Sequence, residues 1–212
     1  FKQRWKNVPK ANGKCPFPER RPRDHHKEFK WDAVRFSHKV YSIFYAVEWI
    51  GTDWLVWMDG DTFVHSQVSY EDFSALLPKD TWLTYVGRGS KSHTWPECGF
   101  YGMNLRTHTC TEFLKEFERM YEDAENGIFR LDEWHDSFVF GHILHKYKKS
   151  QPEVLDYSAG LFNKTARTGG GGHPYVNSVL GKYFDHMKGG RKNQGKSYRQ
   201  DITVNRTEDY WK

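Results

Sequence analysis

The run Trp54-Leu-Val-Trp-Met58, preceded by Gly51 and left through Asp59-Gly60-Asp61, constrains this chain more than any other stretch. Five apolar residues in succession are too few for a helix, and their unbroken apolar character suits a strand buried on both faces. Two carboxylates one residue apart, where such a strand ends, can share one divalent cation. The strand ends of open α/β sheets are also where ligands bind. Oxygen ligands of this kind suit Mg2+ or Mn2+, ions that take few protein groups and keep positions open for phosphate oxygens. Asp-Gly-Asp alone is mostly a turn sequence, so the reading depends on its surroundings.

Residues 1–30 are rich in Pro, Lys, Arg and His without apolar periodicity and read as an extended arm. Phe36, Val40, Ile43, Phe44 and Val47 recur at three- and four-residue spacing, which predicts a helix within Trp31 to Trp49 and sets Arg35 and Lys39 together on another face. Further along, Tyr70 to Leu77 predicts a short helix stopped by Pro78, Thr81 to Val86 a strand, and Gly87 to Pro96 a polar loop. Gly99 to Met103 reads as a strand, Thr111 to Tyr121 and Asp132 to Tyr147 as helices, and Tyr175 to Tyr183 as a last short helix with Pro174 in its first turn. Strands alternating with helices argue for an α/β fold with a mostly parallel sheet flanked by helices.

At 212 residues the chain has room for one well-buried core rather than two ordinary catalytic domains. The expected organisation is the arm 1–30, a single domain over 31–200 and a tail 201–212. No stretch approaches the roughly 20 apolar residues that span a bilayer, so a soluble protein is expected. Cys15, Cys98 and Cys110 are odd in number and lack the spacing of a zinc site or disulfide framework, which favours a reducing, cytoplasmic compartment. Asn163-Lys-Thr165 and Asn205-Arg-Thr207 match the glycosylation acceptor pattern, which has meaning only in a secretory chain. The net charge of +5 gathers in Lys146 to Lys149 and between Lys182 and Arg199. Such basic stretches suit diphosphates, nucleic acid or acidic membranes, or are plain solvated surface.

Trp54-Leu-Val-Trp-Met-Asp-Gly-Asp-Thr-Phe-Val64 resembles the DxD strand of GT-A glycosyltransferases. The resemblance implies a Rossmann-like GT-A fold in which Asp59 and Asp61 ligate Mn2+ (or Mg2+) bridging the diphosphate of a nucleotide-sugar donor, with Gly60 at the donor. His186-Met-Lys-Gly189-Gly-Arg-Lys192 is similar to the His-x-x-Gly-x-x-Lys arrangement near the C-terminus of glycogenin-like and bacterial galactosyltransferase-like enzymes. That similarity makes His186 the third metal ligand and puts Gly189 and Lys192 at the donor. Arg35 and Lys39 resemble the basic helix that reaches toward the donor in several GT-A families. Asp132-Glu-Trp-His-Asp136 is similar to the xED position and implies Asp136 as the catalytic base, with His135 on the acceptor side. Asp132 and Glu133 read as helix caps. Glu97-Cys-Gly99-Phe-Tyr-Gly102-Met-Asn104 resembles the segment lining the acceptor and sugar pocket, with Glu97 and Gly99 as acceptor contacts. The general look is that of small glycosyltransferases of bacterial or viral type.

The chemistry agrees without the family. Glycosyl transfer expels a nucleoside diphosphate, and a divalent ion with Lys188, Arg191 and Lys192 can stabilise the charge that builds on it. The resemblance favours a UDP-sugar donor with a GDP-sugar second, while the residues themselves leave the donor's base and sugar open. The resemblance implies a hydroxyl acceptor, on a glycan, a lipid-linked saccharide or a similar group, without naming which. Gly169-Gly-Gly-Gly172-His173-Pro174 has neither the Walker spacing nor the dinucleotide fingerprint, and reads as a loop closing over donor or as a linker. Only residues 1–53 precede the acidic strand, so the base-reading unit of a GT-A fold either lies before Phe1 or is reduced. Three rivals follow. They are glycosylation of hydroxymethylated bases in DNA, a non-catalytic nucleotide-sugar-binding module, and a metal-dependent nucleotidyltransferase or phosphodiesterase, which should carry a further carboxylate.

Overall fold

The computed structural model describes residues 1–88, 95–161 and 173–212. In chain order the helices are α1 (Lys2–Trp5), α2 (Ala33–Trp49), α3 (Tyr70–Ala75), α4 (His108–Glu122), α5 (Asp136–Ser150), α6 (Pro174–Asn177) and α7 (Arg191–Gln194). The strands are β1 (Trp54–Met58), β2 (Thr62–Val64), β3 (Leu83–Val86), β4 (Glu97–Asn104), β5 (Val154–Asp156) and β6 (Phe184–His186). Contacts divide the chain into two compact units, one of residues 1–52 and 107–152 and the other of residues 53–106 and 153–212. The stretch 31–200 is thus shared between both. No helix among the described residues is long and apolar enough to cross a membrane.

The first unit is helical. The Asp32 side chain caps α2 by accepting the Arg35 backbone N–H at 3.1 Å. Val40, Ile43 and Phe44 form the buried part of the predicted stripe. Phe44 meets Phe117 of α4 edge-on at 5.6 Å, and Phe113 and Phe117 meet Phe140 of α5 at 5.2 and 6.0 Å. These interlocked rings join the three long helices, because each aromatic face buries a large apolar area in a favoured edge-to-face geometry. Residues 1–30 are not an extended arm. They hold α1 and a 3-10 turn at Pro9–Ala11, and the buried Trp5 packs on Phe129 at 4.6 Å. One aromatic anchor per short turn leaves no periodic pattern to read.

The second unit holds a four-stranded sheet of order β1-β4-β3-β5 and a two-stranded sheet of β2 and β6. The sheet is mixed rather than mostly parallel: β4 is antiparallel to both β1 and β3, and β5 alone runs parallel to β3. Residues 87–96, which join β3 to β4, are fewer than the dozen or more that a parallel crossover needs. β4 therefore returns beside its predecessor. β1 is an edge strand and only half-buried along its length, whereas β3 and β4 are buried throughout. The unit's core gathers Leu76, Val86, Phe100, Tyr157, Tyr175, Val176, Leu180, Phe184 and Trp211. The tail 201–212 belongs to it, since Trp211 Nε1 donates to the Gly181 carbonyl at 2.6 Å and the Tyr210 hydroxyl to Asp185 at 2.9 Å.

Candidate metal centre

The acidic turn is tied down by backbone bonds on both sides. Asp59 N–H donates to the Gly99 carbonyl at 2.9 Å, which prolongs the pairing of β1 with β4, and Thr62 N–H donates back to the Asp59 carbonyl at 3.0 Å. β2 then starts at Thr62 and pairs antiparallel with β6, with Thr62 opposite His186. Met187 N–H closes on the Asp61 carbonyl at 2.9 Å. This register delivers a histidine from the far end of the chain to the two aspartates. One ligand atom from each of Asp59, Asp61 and His186 lies within 4.8 Å of the others.

His186 Nε2 stands 3.1 Å from Asp61 Oδ1 and 3.5 Å from Asp59 Oδ2. Trp57 Nε1 donates to Asp59 Oδ1 at 2.7 Å, and Lys192 Nζ pairs with Asp61 Oδ2 at 2.9 Å. The hydrogen bond from His186, joined by Lys192, holds the Asp61 carboxyl well below the usual range although burial opposes it. Two half-buried carboxylates and one buried imidazole converge in a donor set that fits Mn2+ or Mg2+ with positions left for oxygen ligands. Gly60 is exposed, with open space where a Cβ would stand, and Gly189 has φ +64° in the turn before α7.

The imidazole of His186 is 1% exposed and is packed from behind. A Cβ on Gly99 would lie 2.5 Å from both Cε1 and Nδ1 of the ring, so the group that approaches this glycine is His186. Gly99→Ala must therefore push the ring away from the aspartates. We expect Mn2+ affinity, measured by calorimetry, to fall by about 10-fold or more, the scale seen when a ligand's surroundings are disturbed.

Glu97, read from sequence as an acceptor contact, is 3% exposed and paired with Arg88 and, at 3.1 Å, with Lys188. Burial pushes its carboxyl up, but Lys188 and Arg88 outweigh that and hold it low. Arg191 is committed to Asp201 through two bonds of 2.7 and 2.5 Å, which leaves Lys188 and Lys192 as the lysines beside the centre. The sequence reading missed Arg88, Tyr175 and the role of His173. The His173 ring stands edge-on to His186 at 5.7 Å and caps α6 by accepting the Tyr175 N–H at 3.2 Å. Burial lowers it to about 4. Its signal was the His-Pro step, a cap followed by proline at the first helical position. Gly169 to Gly172 and Asn163 to Thr165 lie outside the described residues.

The remaining predicted residues belong to the helical unit. Asp136 is 7% exposed and pairs with Lys39 at 2.9 Å, while Arg35 is exposed on α2. α5 begins at Asp136, later than predicted, because His135 is its N-cap, with Nδ1 accepting the Phe138 N–H at 3.3 Å and Nε2 against Glu133 at 3.1 Å. Asp132 and Glu133 are thus not helix caps. Asp132 pairs with Arg21 at 3.0 Å and Glu133 with Lys30 at 2.7 Å, pinning residues 20–30 to the start of α5.

Both buried carboxyls of this network sit below their ordinary values of 3.8 and 4.5. Burial raises each, and Lys39 outweighs it at Asp136 as His135 and Lys30 do at Glu133. With folded values depressed, the unfolded chain binds more protons in between, so the stabilisation is present above the unfolded range near 4 and is lost as pH falls through the folded values. Thermal unfolding should shift down as pH drops below about 4, and Lys39→Met should already lower it at neutral pH by stranding Asp136.

No protein-family model, no curated protein and no solved structure matches this chain.

Proposed function

We propose that the protein is a metal-dependent glycosyltransferase that moves a sugar from a nucleotide-diphosphate donor, UDP-linked in the first instance and GDP-linked in the second, to a hydroxyl acceptor. The observation that carries the reading is the convergence of Asp59, Asp61 and His186, from two segments far apart in sequence, with Lys192 bonded to one of the carboxylates. A donor set of this kind holds a divalent ion with positions to spare, and a bound ion supplies Lewis-acid stabilisation of the leaving diphosphate worth several kcal/mol. Lys192 and Lys188 are both more than half exposed at their side chains and stand on the centre's acidic groups. The Lys192 ammonium can exchange its carboxylate for a phosphate oxygen when the donor enters, adding positive charge where negative charge develops.

The resemblance that suggests this reading assigns Asp136 as the base that takes the acceptor's proton, but that carboxylate is 7% exposed, ion-paired with Lys39 and held below its ordinary value, so no base is assigned. The test is to incubate the protein with Mn2+ and a panel of nucleotide sugars and to identify the products. Nucleoside diphosphate released from one donor supports glycosyl transfer and names that donor. Nucleoside monophosphate with sugar phosphate would instead mean attack at phosphorus and sink the reading.

A further inference from the structure

We infer that Glu97 is the positioning residue for His186, holding the imidazole from its Nδ1 side so that Nε2 stays turned toward Asp59 and Asp61. The inference rests on the metal-centre reading and deepens it. Glu97 Oε1 lies 3.5 Å from His186 Nδ1. That nitrogen is fully buried and has no hydrogen-bond partner, although a buried ring nitrogen normally has one. Glu97 is the acidic group that faces it, while Nε2 faces the two aspartates on the other side of the same ring.

The local sequence produces this arrangement. Glu97 and Gly99 are two residues apart on β4, so their side-chain positions fall on one face of the strand. The missing Cβ at Gly99 is what admits the ring, and the carboxylate of Glu97 stands against the ring's inner nitrogen. Arg88 and Lys188 hold the carboxylate itself, the first from the end of β3 and the second two residues beyond His186. A carboxylate bound on two sides by cations is fixed in place, and its own charge is compensated inside the protein. Ligating histidines commonly donate their second ring N–H to such a carboxylate, which fixes the tautomer and makes the metal-facing nitrogen a better donor. A residue 3% exposed and so occupied is a poor acceptor contact, the role its sequence context suggested.

The experiment measures Mn2+ affinity by calorimetry on the whole chain, without donor, for the unaltered protein, Glu97→Gln, Glu97→Leu and Asp61→Ala. We expect Glu97→Leu to bind Mn2+ about 100-fold more weakly and Glu97→Gln, which keeps the shape and an acceptor oxygen, about 10-fold more weakly, the range found for partners of this kind. The 15N shifts of His186 in the Mg2+-loaded protein should report an Nδ1–H that is hydrogen-bonded in the unaltered chain and in Glu97→Gln, and an Nδ1–H without that bond, with its shift moved, in Glu97→Leu. A purely structural role would not move that signature. If Glu97→Leu fails to fold, Glu97→Gln decides on affinity alone. Mn2+ binding that Asp61→Ala abolishes and both Glu97 variants leave unchanged overturns the positioning role and spares the metal centre. An unaltered chain that binds no Mn2+ overturns both.

Discussion

Asp61→Ala should reduce Mn2+-dependent turnover of the donor by about 10^3-fold or more, since about 4 kcal/mol of charge stabilisation disappears with the ion. Asp61 stands at the junction of everything the centre uses. Its carboxylate meets His186 on one oxygen and Lys192 on the other, and its carbonyl closes the turn on Met187. Substitution by Ala leaves that backbone bond in place, so the fold is expected to survive. His186→Ala should match the loss in turnover, and it also opens a space beside Gly99 and Tyr175. Steady-state rates at saturating and limiting Mn2+ separate the two effects. A weakened ion site is rescued by more metal, whereas a lost catalytic arrangement is not. Turnover in Asp61→Ala within a factor of a few of the unaltered chain would mean that the carboxylate pair does not serve the reaction.

Phe100→Ala should cost about 3–5 kcal/mol, a large share of the total of about 5–15 kcal/mol that holds a domain of this size together. The ring is fully buried in the sheet unit. It stacks on Phe184 at 6.3 Å and meets Tyr157 and Tyr175 edge-on at 5.8 and 6.5 Å. Removing it deletes one wall from three aromatic contacts at once, and the neighbours cannot all collapse into the space. Thermal unfolding should move down by roughly 10 °C. Tyr70→Ala is the contrast: that side chain is 83% exposed, and a change within about 0.5 kcal/mol is expected. Phe184 lies two residues before His186 on β6, so the Phe100 variant should also bind Mn2+ less tightly at temperatures where it remains folded.

The long elements were legible in the sequence because they are long enough to repeat. The stripe from Phe36 to Val47 spans several turns of α2, and Phe113, Leu114, Phe117 and Met120 do the same for α4. The residues that converge were legible too, in the two aspartates after β1 and in the histidine near the end of the chain. Strand pairing was not. The three-residue strands β2 and β6 carry no readable alternation, yet it is their register that sets Thr62 opposite His186. Pairing partners are chosen by contacts far apart in sequence, which local pattern does not encode. For the same reason the apolar run Trp54–Met58 reads as a buried strand and is a half-buried edge strand, while β4, with its glycines, is buried throughout inside the sheet.

Two site assignments changed for a related reason. A glycine in a strand signals that something comes close, but the sequence does not say what, and at Gly99 it is His186. A carboxylate beside such a glycine looks available until its partners are known, and Glu97 is held by Arg88 and Lys188. Likewise the acidic pair before α5 looks like a helix cap until Arg20, Arg21 and Lys30 are seen to take it.

The central claim is that Asp59, Asp61 and His186 form one divalent-metal site, and electron paramagnetic resonance of added Mn2+ tests it most directly. The account predicts saturable loss of the free-ion signal at one ion per chain, abolished by Asp61→Ala. A free Mn2+ signal that rises in step with added metal, in the unaltered chain as in the variant, would contradict it.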